Sequence, residues 1–244
     1  MNLIIGDSNS RNIILNTKSD SCLCIGGTAK GLNNPKSKSN YNNIIINTVR
    51  QNNYNNLIFL FGSVDLEFCL NDKYINNVNN ININYKDFNL DVIKNYLEFI
   101  LKNFDNKAVT ILSIGLPCID DIHFVKNYIN NGGRILKFED INVSKLKLLK
   151  ENIPNLLTRT QITLHFNETL KDKIIKLNNP NIKYLDITTF TYDFKLGRIK
   201  DEFFSRNDHH NYIRNKYFNK IIDEHLSKLA LLYTLEDLKW DKIA

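Results

Sequence analysis

Short apolar runs, several rich in β-branched residues, recur at residues 3–5, 23–25, 57–61, 109–114 and 182–187, and close on Gly, Pro, Asp or Thr. Runs of this length, apolar on both faces, predict buried parallel strands. Between and after them lie amphipathic stretches at 41–49, 90–104, 143–151, 161–177 and 212–229. In the second, Ile93, Tyr96, Leu97, Ile100 and Leu101 recur at helical spacing, so one face is expected to pack on the sheet. Strands alternating with helices predict an α/β fold, a three-layer doubly wound sheet of five mainly parallel strands with right-handed connections. In such sheets ligands gather beyond the carboxyl ends of the strands.

The polar intervals add detail. The Asn-rich stretch 71–84 predicts an extended or mobile excursion after the third strand, and 31–43, crowded with Asn and Lys, predicts a surface loop leading into a helix. Segment 116–159 is longer than one connection needs, and its Gly132-Gly133 pair predicts a turn inside an inserted subregion that walls a cleft. With 244 residues, 43% of them hydrophobic, the chain suits one substantial core, so a single domain over 1–244 is expected.

Charge changes little. The net +6 is dispersed, Lys-rich and without aromatic interleaving, so no nucleic-acid partner is expected; the Asn, Ile and Lys excess resembles AT-rich coding bias. Without an 18-residue apolar run or a basic-plus-apolar leader, a soluble, intracellular protein without a membrane partner is expected. Cys22, Cys24, Cys69 and Cys118 lack Cys-x-x-Cys spacing and predict reduced core thiols.

The candidate chemistry starts where the first strand meets Gly6-Asp7-Ser8-Asn9. A strand-to-helix turn lifts a hydroxyl clear of the sheet and leaves backbone N–H groups free to face an oxyanion. A serine needs a base, and the base an orienting group. Asn207-Asp208-His209-His210 offers both: His210 as base, His209 as the alternative, and Asp208 as the acid. Helix capping by Asp208 ahead of Tyr212 is the structural alternative.

Taken in order, Gly6-Asp7-Ser8, Gly26-Gly27, Phe61-Gly62-Ser63-Val64-Asp65 and Asp208-His209-His210 resemble the SGNH (GDSL-type) hydrolase superfamily. The resemblance runs from Met1 to about Ser227. It implies Ser8 as nucleophile and an oxyanion hole formed by the Ser8 N–H, the Gly27 (or Gly26) N–H and a side chain of the third motif, where Gly62 and Asp65 are kept. Two positions depart from it. The acid stands two residues before His210 rather than three, and Val64 occupies the place of a hydrogen-bonding asparagine. Loss of one such donor costs about 3 kcal/mol of transition-state stabilisation. Gly62-Ser63-Val64-Asp65 is closer to a divergent branch with Gly-Glu-Ile-Asp, whose members are associated with glycan biosynthesis.

The expected activity is therefore that of a serine esterase or acyltransferase on an acyl ester, with O-acetyl groups of a carbohydrate as substrate and neither metal nor organic cofactor required. The alternative is a catalytically degenerate binding protein of the same fold. Asp120-Asp121-x-His123 could suggest a divalent metal, but loop polarity explains it. His165 and His225 read as helix-surface or core residues, and Arg159, ahead of a helix bearing Phe166-Asn167, reads as architecture.

Overall fold

The computed structural model describes residues 1–11, 19–76, 83–125 and 151–205, with the side chains of residues 75 and 76 also left aside. Five strands form one parallel sheet: β1 (Asn2–Gly6), β2 (Asp20–Leu23), β3 (Asn56–Leu60), β4 (Val109–Leu112) and β5 (Ile182–Leu185). Their order is β2-β1-β3-β4-β5, the flavodoxin-like doubly wound arrangement expected from the alternating pattern. Register follows burial. Ile5 faces Cys22 on one side and Phe59 on the other, while β1 and β3 are buried along nearly their whole length.

Helices α1 (Tyr41–Gln51), α2 (Asn71–Asn76), α3 (Tyr85–Phe104) and α4 (Leu156–Leu177) make the connections. Phe59 and Phe61, two residues apart and so on one face of β3, meet Tyr96 of α3 edge-on at 6.4 and 6.0 Å. Helices α3 and α4 pack together, and the Asn89 side chain donates to the Ile162 carbonyl between them at 3.1 Å. A two-stranded antiparallel ribbon, β6 (Tyr192–Asp193) with β7 (Arg198–Ile199), follows the sheet.

Several boundaries differ from the sequence expectation. β2 spans Asp20–Leu23 rather than 23–25, because the Gly27 N–H bonds the Cys24 carbonyl at 2.8 Å and Gly26 takes φ +70, turning the chain as it leaves the sheet. Cys24 therefore lies beyond the strand. Both thiols are buried and reduced, and the hydrogen bond between them pulls Cys22 down and pushes Cys24 up. Helices α3 and α4 start earlier than their apolar periodicity shows. Asn84 accepts from Lys86 N and Asn155 from Thr158 N, and these caps set the helix starts ahead of the periodic stretch. Arg159 lies inside α4, not before it.

The stretch from Asn71 begins as helix α2, preceded by a π-helical segment, Asp65–Leu70. A π segment frees carbonyls, and the Asn71 amide answers by donating to Glu67 O at 2.7 Å. The predicted inserted subregion 116–159 falls largely on residues 126–150, outside the described residues, as do the predicted helices 143–151 (up to residue 150) and 212–229.

Candidate active site

Three turns emerge at the carboxyl edge beside β1, where the strand order reverses and doubly wound folds open their binding crevice. After β1, Asp7 caps a single 3-10 turn, Ser8–Ser10, by accepting from Asn9 N at 2.8 Å. Gly6 is required there: a Cβ would stand 2.6 Å from the Leu60 carbonyl and from Ser10 Cβ. Ser8 is half-buried, and neither its hydroxyl nor its N–H has a partner among the described residues. That combination, a fixed backbone with a free hydroxyl and free amide, suits a nucleophile that also stabilises its oxyanion.

After β3, Gly62 turns the chain at φ +123, with Phe166 of α4 only 2.9 Å from where a Cβ would stand. Ser63, Val64 and Asp65 are all buried. The Ser63 and Val64 N–H groups face the Asp7 carboxylate, and Asp65 accepts from Ala29 N at 2.6 Å and Lys30 N at 3.3 Å. Two buried carboxylates thus tie the three motif turns together, Asp7 joining the first to the third and Asp65 the third to the second.

Burial pushes both Asp7 and Asp65 up to about 7, against the amide hydrogen bonds that favour their charged forms; the Asp7 charge further raises Asp65. Asp7 Oδ2 and the Tyr96 hydroxyl beside it in the core are both buried without a full hydrogen bond. Tyr96 is raised in turn, by burial and then by Asp7.

The sequence-derived candidates fall as follows. Ser8 holds an exposed-edge position. The Gly27 N–H is committed to Cys24 O, whereas the N–H of Gly26, the alternative donor, has no partner among the described residues. Gly62 and Asp65 lie buried as supports behind the turn. The Val64 side chain belongs to the apolar core. Asp208, His209 and His210 lie outside the described residues, as does His225. The chain approaches them through Ser205, whose N–H bonds Cys118 O at 2.8 Å on the loop beyond β4.

On that loop His123 Nδ1 meets both Asp120 oxygens at 2.8 and 2.7 Å, and Asp120 Oδ1 also caps His123 N. Among the described residues no three His, Cys, Asp or Glu side chains gather as a metal site needs. Arg159 is buried under Phe124, 4.0 Å from its ring, and donates to Ile119 O and Asp121, fixing the β4 loop. Asn167 bonds both N–H and C=O of Ile114 at 2.9 Å. His165 packs edge-on against Tyr85 and meets the Asn89 amide at 3.2 Å, an architectural place.

Sequence reasoning missed the roles of Asp7 and Asp65 as buried ties. For Asp7 the available signal was a carboxylate directly after an apolar strand, next to a glycine; for Asp65 it was the Gly62-x-x-Asp65 spacing.

No protein-family model and no curated protein matches the chain. Among solved structures it is similar to a GDSL-like lipase from Bacteroides thetaiotaomicron (10% identity, 93% of this chain and 88% of that one, TM-score 0.49). It is also similar to the salicylyl-acyltransferase of a tetracycline biosynthetic pathway (10%, 95% and 55%, 0.45) and to a family 3 carbohydrate esterase from Talaromyces cellulolyticus (10%, 91% and 97%, 0.36).

Proposed function

We propose that the chain is an SGNH-type serine esterase or acyltransferase acting on an acyl ester, with O-acetyl groups of a carbohydrate as the substrate class. The observation that carries this reading is Ser8: a hydroxyl and amide without partners among the described residues, on a turn braced by buried carboxylates, at the edge where the strand order reverses. Ser205 supports it by leading the chain along the β4 loop directly ahead of Asp208, His209 and His210.

In the proposed mechanism the Ser8 oxygen attacks the acyl carbonyl as His210 takes its proton, with Asp208 holding the imidazole and stabilising its charged form. The Ser8 and Gly26 amides receive the developing oxyanion. Collapse expels the alcohol, protonated by His210, and leaves an acyl-Ser8 ester. Water or a second alcohol then attacks, losing its proton to His210, and Ser8 is released with its hydroxyl restored.

The test is turnover of 4-nitrophenyl acetate and acetylated sugars by the full chain, together with labelling by a fluorophosphonate and mapping of the adduct. The expected result is an adduct on Ser8 and loss of turnover in Ser8→Ala and His210→Ala, with His209→Ala milder. Equal turnover in wild type and Ser8→Ala, or an adduct elsewhere, overturns the reading.

A further inference from the structure

A second concavity lies on the same edge, on the outer side of the Gly26–Gly27 turn. It is a cavity of about 270 Å³ between that turn and the start of α1, close to the size at which small-molecule sites begin, on the order of 300 Å³. Its lining includes Thr28, Gly31, Ser37, Lys38, Ser39 and Tyr41. No carboxylate lines it, and Lys38 has no ion pair among the described residues.

The hydrogen bonds already made decide what the lining has left to offer. Thr28 Oγ1 accepts from Gly31 N at 3.0 Å, so its O–H remains to donate. The Tyr41 hydroxyl donates to Ile25 O at 2.8 Å, so its lone pairs remain to accept. Ser37 and Ser39 share one hydrogen bond at 3.0 Å, which leaves further donor and acceptor capacity on the pair. A lining that both donates and accepts matches an alcohol, which does both. Lys38 adds a point charge with three donors, which a neutral sugar does not satisfy but an anionic oxygen does. At Gly26 the wall is open, since a Cβ there would meet nothing within 4 Å.

We propose that this cavity binds a polyol bearing one anionic group, in the manner of a sugar phosphate, as the part of the substrate remote from the acyl carbon. The assignment rests on the hydrolase reading for its role in the reaction, but not for the binding itself. Gly26 lines the cavity, and its turn follows β2, the strand paired with β1, so the residue proposed as an oxyanion donor also borders this binding region.

Binding is measured on the full chain carrying Ser8→Ala, so that it is read without turnover. The probes are glucose 6-phosphate, glucose and inorganic phosphate, followed by calorimetry and by the amide NMR signals of Thr28 and Ser39. Glucose 6-phosphate is expected to bind at least tenfold more tightly than either of the others, to move those signals, and to fall to the level of glucose in Lys38→Ala. Absence of binding, equal binding of glucose or of phosphate, signals that move elsewhere, or an unchanged affinity in Lys38→Ala each overturns the proposal. Failure of the hydrolase reading appears separately, as absent Ser8 labelling.

Discussion

The turns after β1 and β3 begin alike, each with a glycine at a crowded position and an aspartate nearby, yet they treat their groups in opposite ways. The first leaves the Ser8 hydroxyl and amide without a partner among the described residues. The second buries every side chain from Ser63 to Asp65 and aims its amides inward at Asp7. One turn presents chemistry and the other holds it still. A nucleophile gains from a backbone that needs no reorganisation during reaction, and Asp7 and Asp65 supply that rigidity from below.

The sharpest way to break the contrast is Ser8→Ala. It is expected to lower turnover of 4-nitrophenyl acetate by about a thousandfold or more, while thermal unfolding shifts by less than about 0.5 kcal/mol because the hydroxyl has no hydrogen-bond partner among the described residues. Gly62→Ala is the converse. Left-handed backbone strain and the Phe166 contact together cost about 3 kcal/mol, read as a melting temperature lower by roughly 6–12 °C for a domain of this size.

Val64→Asn is expected to destabilise by about 2 kcal/mol, because it sets an amide in apolar surroundings. The rate with 4-nitrophenyl acetate is not expected to rise, since residue 64 faces the core. Denaturant titration alongside the ester assay separates the two outcomes. Asp65→Asn replaces one acceptor oxygen by a donor facing Ala29 or Lys30 N–H, at a cost of about 1–2 kcal/mol, and should weaken labelling of Ser8 less than Ser8→Ala does.

A dependence on pH follows from the same two carboxylates. Asp7 and Asp65 are raised from 3.8 to about 7 in the folded chain, so the folded state holds their protons more tightly than the unfolded one. Their contribution to stability is present below the unfolded value and is lost as pH rises through about 7. The urea midpoint should therefore fall between pH about 5 and about 8, and less so in Asp7→Asn. A midpoint that rises across that window in the wild type would count against burial as the dominant influence.

Strand existence was legible because apolar runs such as those at β1 and β3 suit burial on both faces, and the doubly wound class because those runs alternate with amphipathic stretches. The ends were not. The close of β2 depends on one turn hydrogen bond from Gly27, and the starts of α3 and α4 on Asn84 and Asn155, whose capping leaves no apolar trace. Ser8 was legible as a candidate because a strand, a glycine and a hydroxyl suffice to suggest an exposed turn. The burial of Val64 and Asp65 was not, since a Gly-x-x-Asp spacing does not reveal which way its amides point.

The interior position of β1 bears on how the chain is assembled. Of the five strands β1 is made first, yet it lies inside the finished sheet, between β2 and β3. β2 adds to one side, and β3, β4 and β5 then add in turn to the other, so each strand emerges after the partner it docks against. Parallel pairing is slow because its loops are long, but here no strand awaits a partner still to be synthesised except along the growing edge. Vectorial synthesis and sheet growth run in the same direction, which keeps the exposed edge to one strand on the advancing side throughout.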